Sequence, residues 1–133
     1  MLTGTITLTT SAKIEFIDVT TQINKAIKTS GCKEGICYLY NPHTTSAVTI
    51  NEGADPAVQE DMITSLKRIV PGNLNYKHLE GNSAAHIMTT IVGSSEIVFI
   101  SNGSVSLGTW QRIFVCEFDG PRSRTINWRI LGA

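Results

Sequence analysis

The sequence predicts an α+β domain of mainly antiparallel, β-sandwich-like sheets with three helices, in the order β-β-α-β-β-α-α-β-β-β-β. Three observations carry this. Strand-like segments cluster in two runs with helical segments between them, a distribution that argues against a doubly wound fold. Eight strands in only 133 residues imply two sheets, or one sheet strongly curved. Asn102-Gly103, set between two strand-like runs, is a strong hairpin signal.

The elements follow in order. Residues 3–9 alternate Thr with Ile and Leu, a period of two rich in β-branched residues, and read as a strand. Residues 13–17 form a second short strand, and a hairpin about Thr10-Ser11-Ala12 is expected to join the two. Asp18 or Thr20 caps a helix whose Val19, Ile23, Ala26 and Ile27 share one face, and Gly31 suits the left-handed position after its end. Residues 35–39 read as a buried strand broken by Asn41-Pro42, and residues 44–50 as another. Asp55-Pro56 opens the second helix as cap and first helical residue. Its stripe is Val58, Met62, Leu66 and Ile69, and Pro71-Gly72 stops it. A polar loop at 73–83 leads to a short helix at 84–92, ended by Gly93. Strands are then expected at 96–100, 105–107, 110–118 and 125–131.

Composition limits the function classes. The chain reads as one domain over residues 1–133, long enough to bury a core without disulfides. Eleven Lys+Arg balance eleven Asp+Glu, so no bulk charge favours nucleic acid or an anionic membrane. Low net charge also permits self-association. Cys32, Cys37 and Cys116 are an odd count without a second Cys pair, which argues against a zinc finger and for a reducing compartment. The N-terminus lacks a signal-peptide pattern and no run is long enough to span a membrane, so a cytoplasmic location is expected.

The three histidines carry the clearest functional signal. His43, His78 and His86 all fall in loops or at element ends, where they can converge. A three-imidazole site with an open position suits a catalytic divalent ion such as zinc. The alternative is three solitary histidines, because an H-x7-H spacing has no fixed geometry. Glu52 sits where a strand meets a helix, where a base or ligand is readily displayed. Glu80 beside His78 is a ligand, a proton acceptor or a solvated acid. Glu117 shares a partly apolar strand face and therefore needs a partner or a cavity. Arg122 and Arg124 flank the last turn, where they either clamp phosphate or keep a sheet edge soluble.

Three ordered stretches, HTTSAVTINEGADPAVQEDM, YKHLEGNSAAHIMTTIVGSS and LGTWQRIFVCEFDGPRSR, resemble the YjbQ-like family, which is associated with a secondary thiamine-phosphate synthase activity. The resemblance runs from about Asn41 to Arg124. It implies a homotrimer and one polar pocket holding His43, His78 and His86, with Glu52, Asn82, Gln111 and Glu117 as companions. The implied reaction joins a pyrimidine pyrophosphate to a thiazole phosphate, giving thiamine phosphate and pyrophosphate. Arg122 and a divalent metal, zinc or magnesium, held by the histidines would stabilise the departing group. The expectations are therefore metal binding by His43, His78 and His86, catalysis by Glu52, Gln111 and Glu117, and substrate contacts from Thr45, Asn82 and Arg122. The expected ligand is a small phosphorylated or anionic molecule. A non-catalytic metal- or small-molecule-binding protein is the alternative.

Overall fold

The structure, a computed structural model, describes residues 2–133. The eleven elements occur in the predicted order: β1 (Leu2–Thr9), β2 (Glu15–Asp18), α1 (Thr20–Ser30), β3 (Gly35–Tyr40), β4 (Ser46–Glu52), α2 (Pro56–Ile69), α3 (Ser83–Val92), β5 (Ser95–Ser101), β6 (Ser104–Ser106), β7 (Gln111–Glu117) and β8 (Ser123–Gly132). They build a five-stranded sheet, β1-β8-β3-β5-β6, and a three-stranded sheet, β2-β7-β4. All pairings are antiparallel.

The two sheets face each other across one apolar core. Cys37, Leu39, Val98, Ile126 and Ile130 from the larger sheet meet Val48, Ile113 and Val115 from the smaller, and Ile23 and Ile27 of α1 complete the cluster. Burying each such aliphatic side chain stabilises the fold by roughly 1.5–3 kcal/mol. A second cluster lies on the other face of the smaller sheet, where Ala47, Cys116 and Phe118 pack against Val70, Ala85 and Met88. The central strand β7 is therefore buried on both faces, which explains its near-continuous apolar sequence.

Local chemistry sets the helix ends. Asp55 Oδ1 accepts the Ala57 N–H at 2.9 Å with Pro56 following, as the sequence predicts. At α1 the cap position is Val19, but Asp18 Oδ1 still accepts the Thr20 N–H at 2.9 Å. Asn102 and Gly103 both have positive φ, 53° and 78°, the geometry that a tight hairpin turn requires.

The expected β1–β2 hairpin is corrected. β1 pairs with β8 and β2 with β7, so the two strands lie in different sheets. The cause is Thr10. Its N–H donates to the Arg122 carbonyl at 2.9 Å and its hydroxyl to Glu117 Oε1 at 2.8 Å. These bonds tie the chain leaving β1 to the segment between β7 and β8, and the chain crosses between sheets there.

Candidate functional site

The smaller sheet ends in a buried charge pair. Glu117, at 0% exposure, closes β7, and Arg124, at 2%, lies near the start of β8. Arg124 Nε donates to Glu117 Oε1 at 2.8 Å, and its Nη2 donates to Glu117 Oε2. The same Nη2 donates to Thr45 Oγ1 at 2.8 Å. The carboxylate also accepts the Asp119 N–H at 3.0 Å and the Thr10 hydroxyl. Burial pushes the Glu117 acid up, but the bonds from Arg124, Asp119 and Thr10 outweigh it and hold the group below the usual carboxylate range. Thr45 thus serves the pair rather than facing solvent.

His43 lies beside this pair. Its Nε2 accepts the Thr125 N–H at 2.9 Å, so the ring is held neutral with its proton on Nδ1. Burial lowers its pKa and the Arg124 and Arg122 charges lower it further, against the opposing charge of Glu117.

Beyond Glu117 the network opens onto a cavity. Asp119 Oδ2 accepts Asn82 Nδ2 at 2.9 Å and Arg122 Nη2 at 3.0 Å. Asn82 and Asp119 line a cavity of about 550 Å³ between the end of α2, the start of α3 and the Phe118–Asp119 turn. Ile14, Val70, Ala85, Met88 and Phe118 make its apolar floor, and Lys13 and Lys67 complete its wall. Among the described residues neither lysine has a carboxylate within 4.0 Å. Asp119, in contrast, is already engaged by Arg122 and Asn82.

Thr45, Glu117, Asn82 and Arg122 are therefore joined in one hydrogen-bonded network with His43 at its margin. The other expected residues lie elsewhere. Glu52 and Gln111 pair across β4 and β7 six residues from the Ser46–Glu117 pair. At about 3.4 Å per residue that is roughly 20 Å away. There Glu52 Oε2 accepts the Asp55 N–H and Gln111 Oε1 accepts the Gly108 N–H. His78 and His86 face each other edge to face, with centroids 5.5 Å apart, in a shallow cleft with Tyr76, Ser83 and Ile87.

The family described as UPF0047 protein YjbQ-like matches residues 4–133. The chain belongs to the YjbQ/UPF0047 family. It is 49% identical over 123 residues to the UPF0047 protein MJ1081 of Methanocaldococcus jannaschii, covering 92% of this chain and 89% of that protein. It is 41% identical over 129 residues to YugU of Bacillus subtilis, covering 96% and 98%. A crystal structure of a YjbQ/UPF0047 protein of Clostridium acetobutylicum aligns with a TM-score of 0.93 at 45% identity, over 96% of this chain and 98% of that one. A Sulfolobus solfataricus structure described as a YbjQ-like protein of unknown function aligns at 0.94 with 33% identity, over 99% and 97%.

Two functional expectations are corrected. No group of three or more His, Cys, Asp or Glu side chains among the described residues is placed to hold a metal ion. His43 Nε2 already accepts a backbone N–H, while His78 and His86 stack against each other, so the three-histidine metal pocket is not formed. These YjbQ/UPF0047 relatives are named for the family alone, and thiamine-phosphate synthesis finds no support among them.

Sequence reasoning also missed residues. Asp119 reads as an ordinary Asp-Gly-Pro turn, although its place two residues after Glu117 puts it at the same strand end. Lys67 reads as helix-end charge, and Lys13 carries no signal at all. Arg124 was open between clamp and edge, and it is neither. The signal that finds it is Glu117, a strand acid in need of a cation.

Proposed function

We propose that this chain is a small-molecule-binding domain whose cavity between α2, α3 and the Asp119 turn takes a small anionic, phosphate-bearing ligand. One observation carries the reading: Lys13 and Lys67 line a cavity of about 550 Å³ with no acid paired to either among the described residues. That volume lies within the range of ordinary ligand sites, and such sites combine an apolar lining with a few placed polar groups. Asn82 supplies one polar group. Arg122 acts through Asp119, holding its carboxylate and offsetting its charge at the cavity wall.

The domain acts as a self-associating protein, a homotrimer, in the cytoplasm. The large exposed side chains Tyr40, Ile97, Phe99 and Leu131 support association. The three free cysteines support a reducing compartment.

The test is titration of the purified chain with inorganic phosphate, followed by calorimetry and by thermal melting. Wild type is expected to bind and to melt higher with phosphate present, with affinity falling as salt rises. Lys13→Ala with Lys67→Ala is expected to weaken binding by about tenfold or more, at about 1.4 kcal/mol per factor of ten. Equal phosphate affinity in that double variant sinks the proposal.

A further inference from the structure

Of the strands that end a sheet, β1 offers the longest free edge. It runs eight residues, against four in β2, seven in β4 and three in β6. At about 3.4 Å per residue this edge is roughly 27 Å long. Edge strands are ordinarily blunted by charges, prolines, bulges or a cover. β1 reads LTGTITLT, with no charge and no proline, and its register with β8 runs unbroken from Leu2 to Thr9.

The register also says which groups are bare. The Thr10 N–H donates to the Arg122 carbonyl, one pair beyond Thr9 with Ser123. Hydrogen-bonded pairs alternate along an antiparallel ladder, so Leu8, Ile6, Gly4 and Leu2 turn their main chain toward β8. Thr3, Thr5, Thr7 and Thr9 turn theirs outward, where another extended chain supplies donors and acceptors at the matching spacing.

A groove of about 490 Å³ lies beside this edge, between β1 and α1. Leu2, Ile6, Ala26 and Trp128 give it an apolar lining. Gly4 is what brings the indole there. It faces Trp128 across the ladder, and a β-carbon on it would run into the ring. The indole therefore lies over the Gly4 main chain, toward the free edge. Gln22 and Lys25 of α1 form the polar wall. Lys25 has no carboxylate within 4.0 Å among the described residues, and α1 carries Lys25 and Lys28 but no acid.

We infer that β1 accepts an extended acidic peptide of a partner protein as a sixth strand of the larger sheet, with one large apolar side chain seated on Trp128 and a carboxylate beside Lys25. Main-chain bonds to the outward threonines supply affinity, and the groove selects the side chain. A second copy of β1 is the poorer occupant. Pairing two β1 strands about a twofold axis sets both α1 helices on the same side of the sheet, cation toward cation. The groove shares no residue with the cavity that holds Lys13 and Lys67, so either reading stands or falls alone.

The test uses a synthetic octapeptide that alternates valine with glutamate and carries phenylalanine at one valine position, and the same peptide N-methylated at every residue. A Trp110→Phe background leaves Trp128 as the single fluorescent indole. The plain peptide is expected to shift its emission and, at saturation, to slow amide hydrogen exchange at Thr3, Thr5 and Thr7 by about tenfold or more, with the β6 amides unchanged. The N-methylated peptide is expected to bind about tenfold more weakly or worse, and Lys25→Glu is expected to weaken the plain peptide by a similar factor. Thr5→Pro removes one outward N–H at a position where an edge strand tolerates proline, and is expected to abolish binding while circular dichroism stays unchanged. Equal affinity for the two peptides, or unchanged exchange at those threonines under saturating peptide, overturns the inference. Binding of neither peptide at millimolar concentration overturns it as well. So does protection of those amides that grows with the concentration of the protein alone, which assigns the edge to a second copy.

Discussion

His43 Nε2 accepts the Thr125 backbone N–H at 2.9 Å, just beyond the last β3–β8 pair, Tyr40 with Asn127. The imidazole continues a ladder that the main chain of β3 has stopped building. The Thr125 donor, which would otherwise lack an acceptor, is satisfied by a side chain.

That bond makes stability depend on pH. Burial and the Arg124 and Arg122 charges lower the His43 pKa below its ordinary 6.5. A depressed folded value means that the neutral form supports the fold. Its contribution is full above the unfolded value and is lost as pH falls through the folded one. The melting temperature is therefore expected to start dropping as pH falls below the ordinary histidine value of about 6.5, ahead of carboxylate titration. His43→Gln, whose side-chain carbonyl still accepts the N–H, is expected to flatten that part of the profile. An unchanged slope in thermal melts would assign it to another group.

The Glu117–Arg124 pair gives a larger effect. Both side chains are almost wholly buried, so removing either leaves a charge without its partner. Glu117→Gln or Arg124→Met is expected to cost about 3–5 kcal/mol in denaturant unfolding. The Glu117→Gln, Arg124→Met double change is expected to cost less than the two single losses together, because it leaves no orphaned charge. Additive losses would refute coupling between the two.

The legible part of this protein is the part governed by local rules. Asp55-Pro56, Asn102-Gly103 and the stripe of α1 each state their structure within a few residues, and all three form as read. Glu117 announced that it needed a partner. Which partner was not written locally, because Arg124 reaches it through the fold of a turn. The histidines show the converse. Loop positions permit convergence but do not impose it, and the Thr125 N–H claimed His43 first. Lys13 and Lys67 were illegible because nothing distinguishes a cavity lysine from a surface one until the walls around it are known.

α2 offers a separate test. None of its residues is fully buried, so its cap matters more than it would on a deeply packed helix. Asp55→Ala removes the bond to the Ala57 N–H and is expected to cost about 1 kcal/mol. Hydrogen exchange is expected to rise at the first turn of α2 while the β-sheet amides stay protected. Uniform deprotection would mean that the helix unfolds only with the whole domain.

The last expectation concerns the turn that carries Asp119. Gly120 packs where a side chain has no room. A β-carbon there would run into the Ala12 carbonyl oxygen and lie 2.8 Å from both Glu117 Cγ and Thr10 Oγ1. The first of these is main chain and cannot swing aside, so the turn itself must move. Gly120→Ala is expected to destabilise the fold by about 1–3 kcal/mol, as overpacking does. It is also expected to weaken phosphate binding, because Asp119 and Asn82 move with the turn. Gly72 is the control. It lines the same cavity, yet a β-carbon there meets nothing within 4 Å. Gly72→Ala is expected to change stability by no more than about 1 kcal/mol, in either direction. Calorimetric titration of both variants with phosphate separates the two effects. Equal losses at Gly72 and Gly120 would show that crowding of the cavity, rather than displacement of Asp119, governs binding.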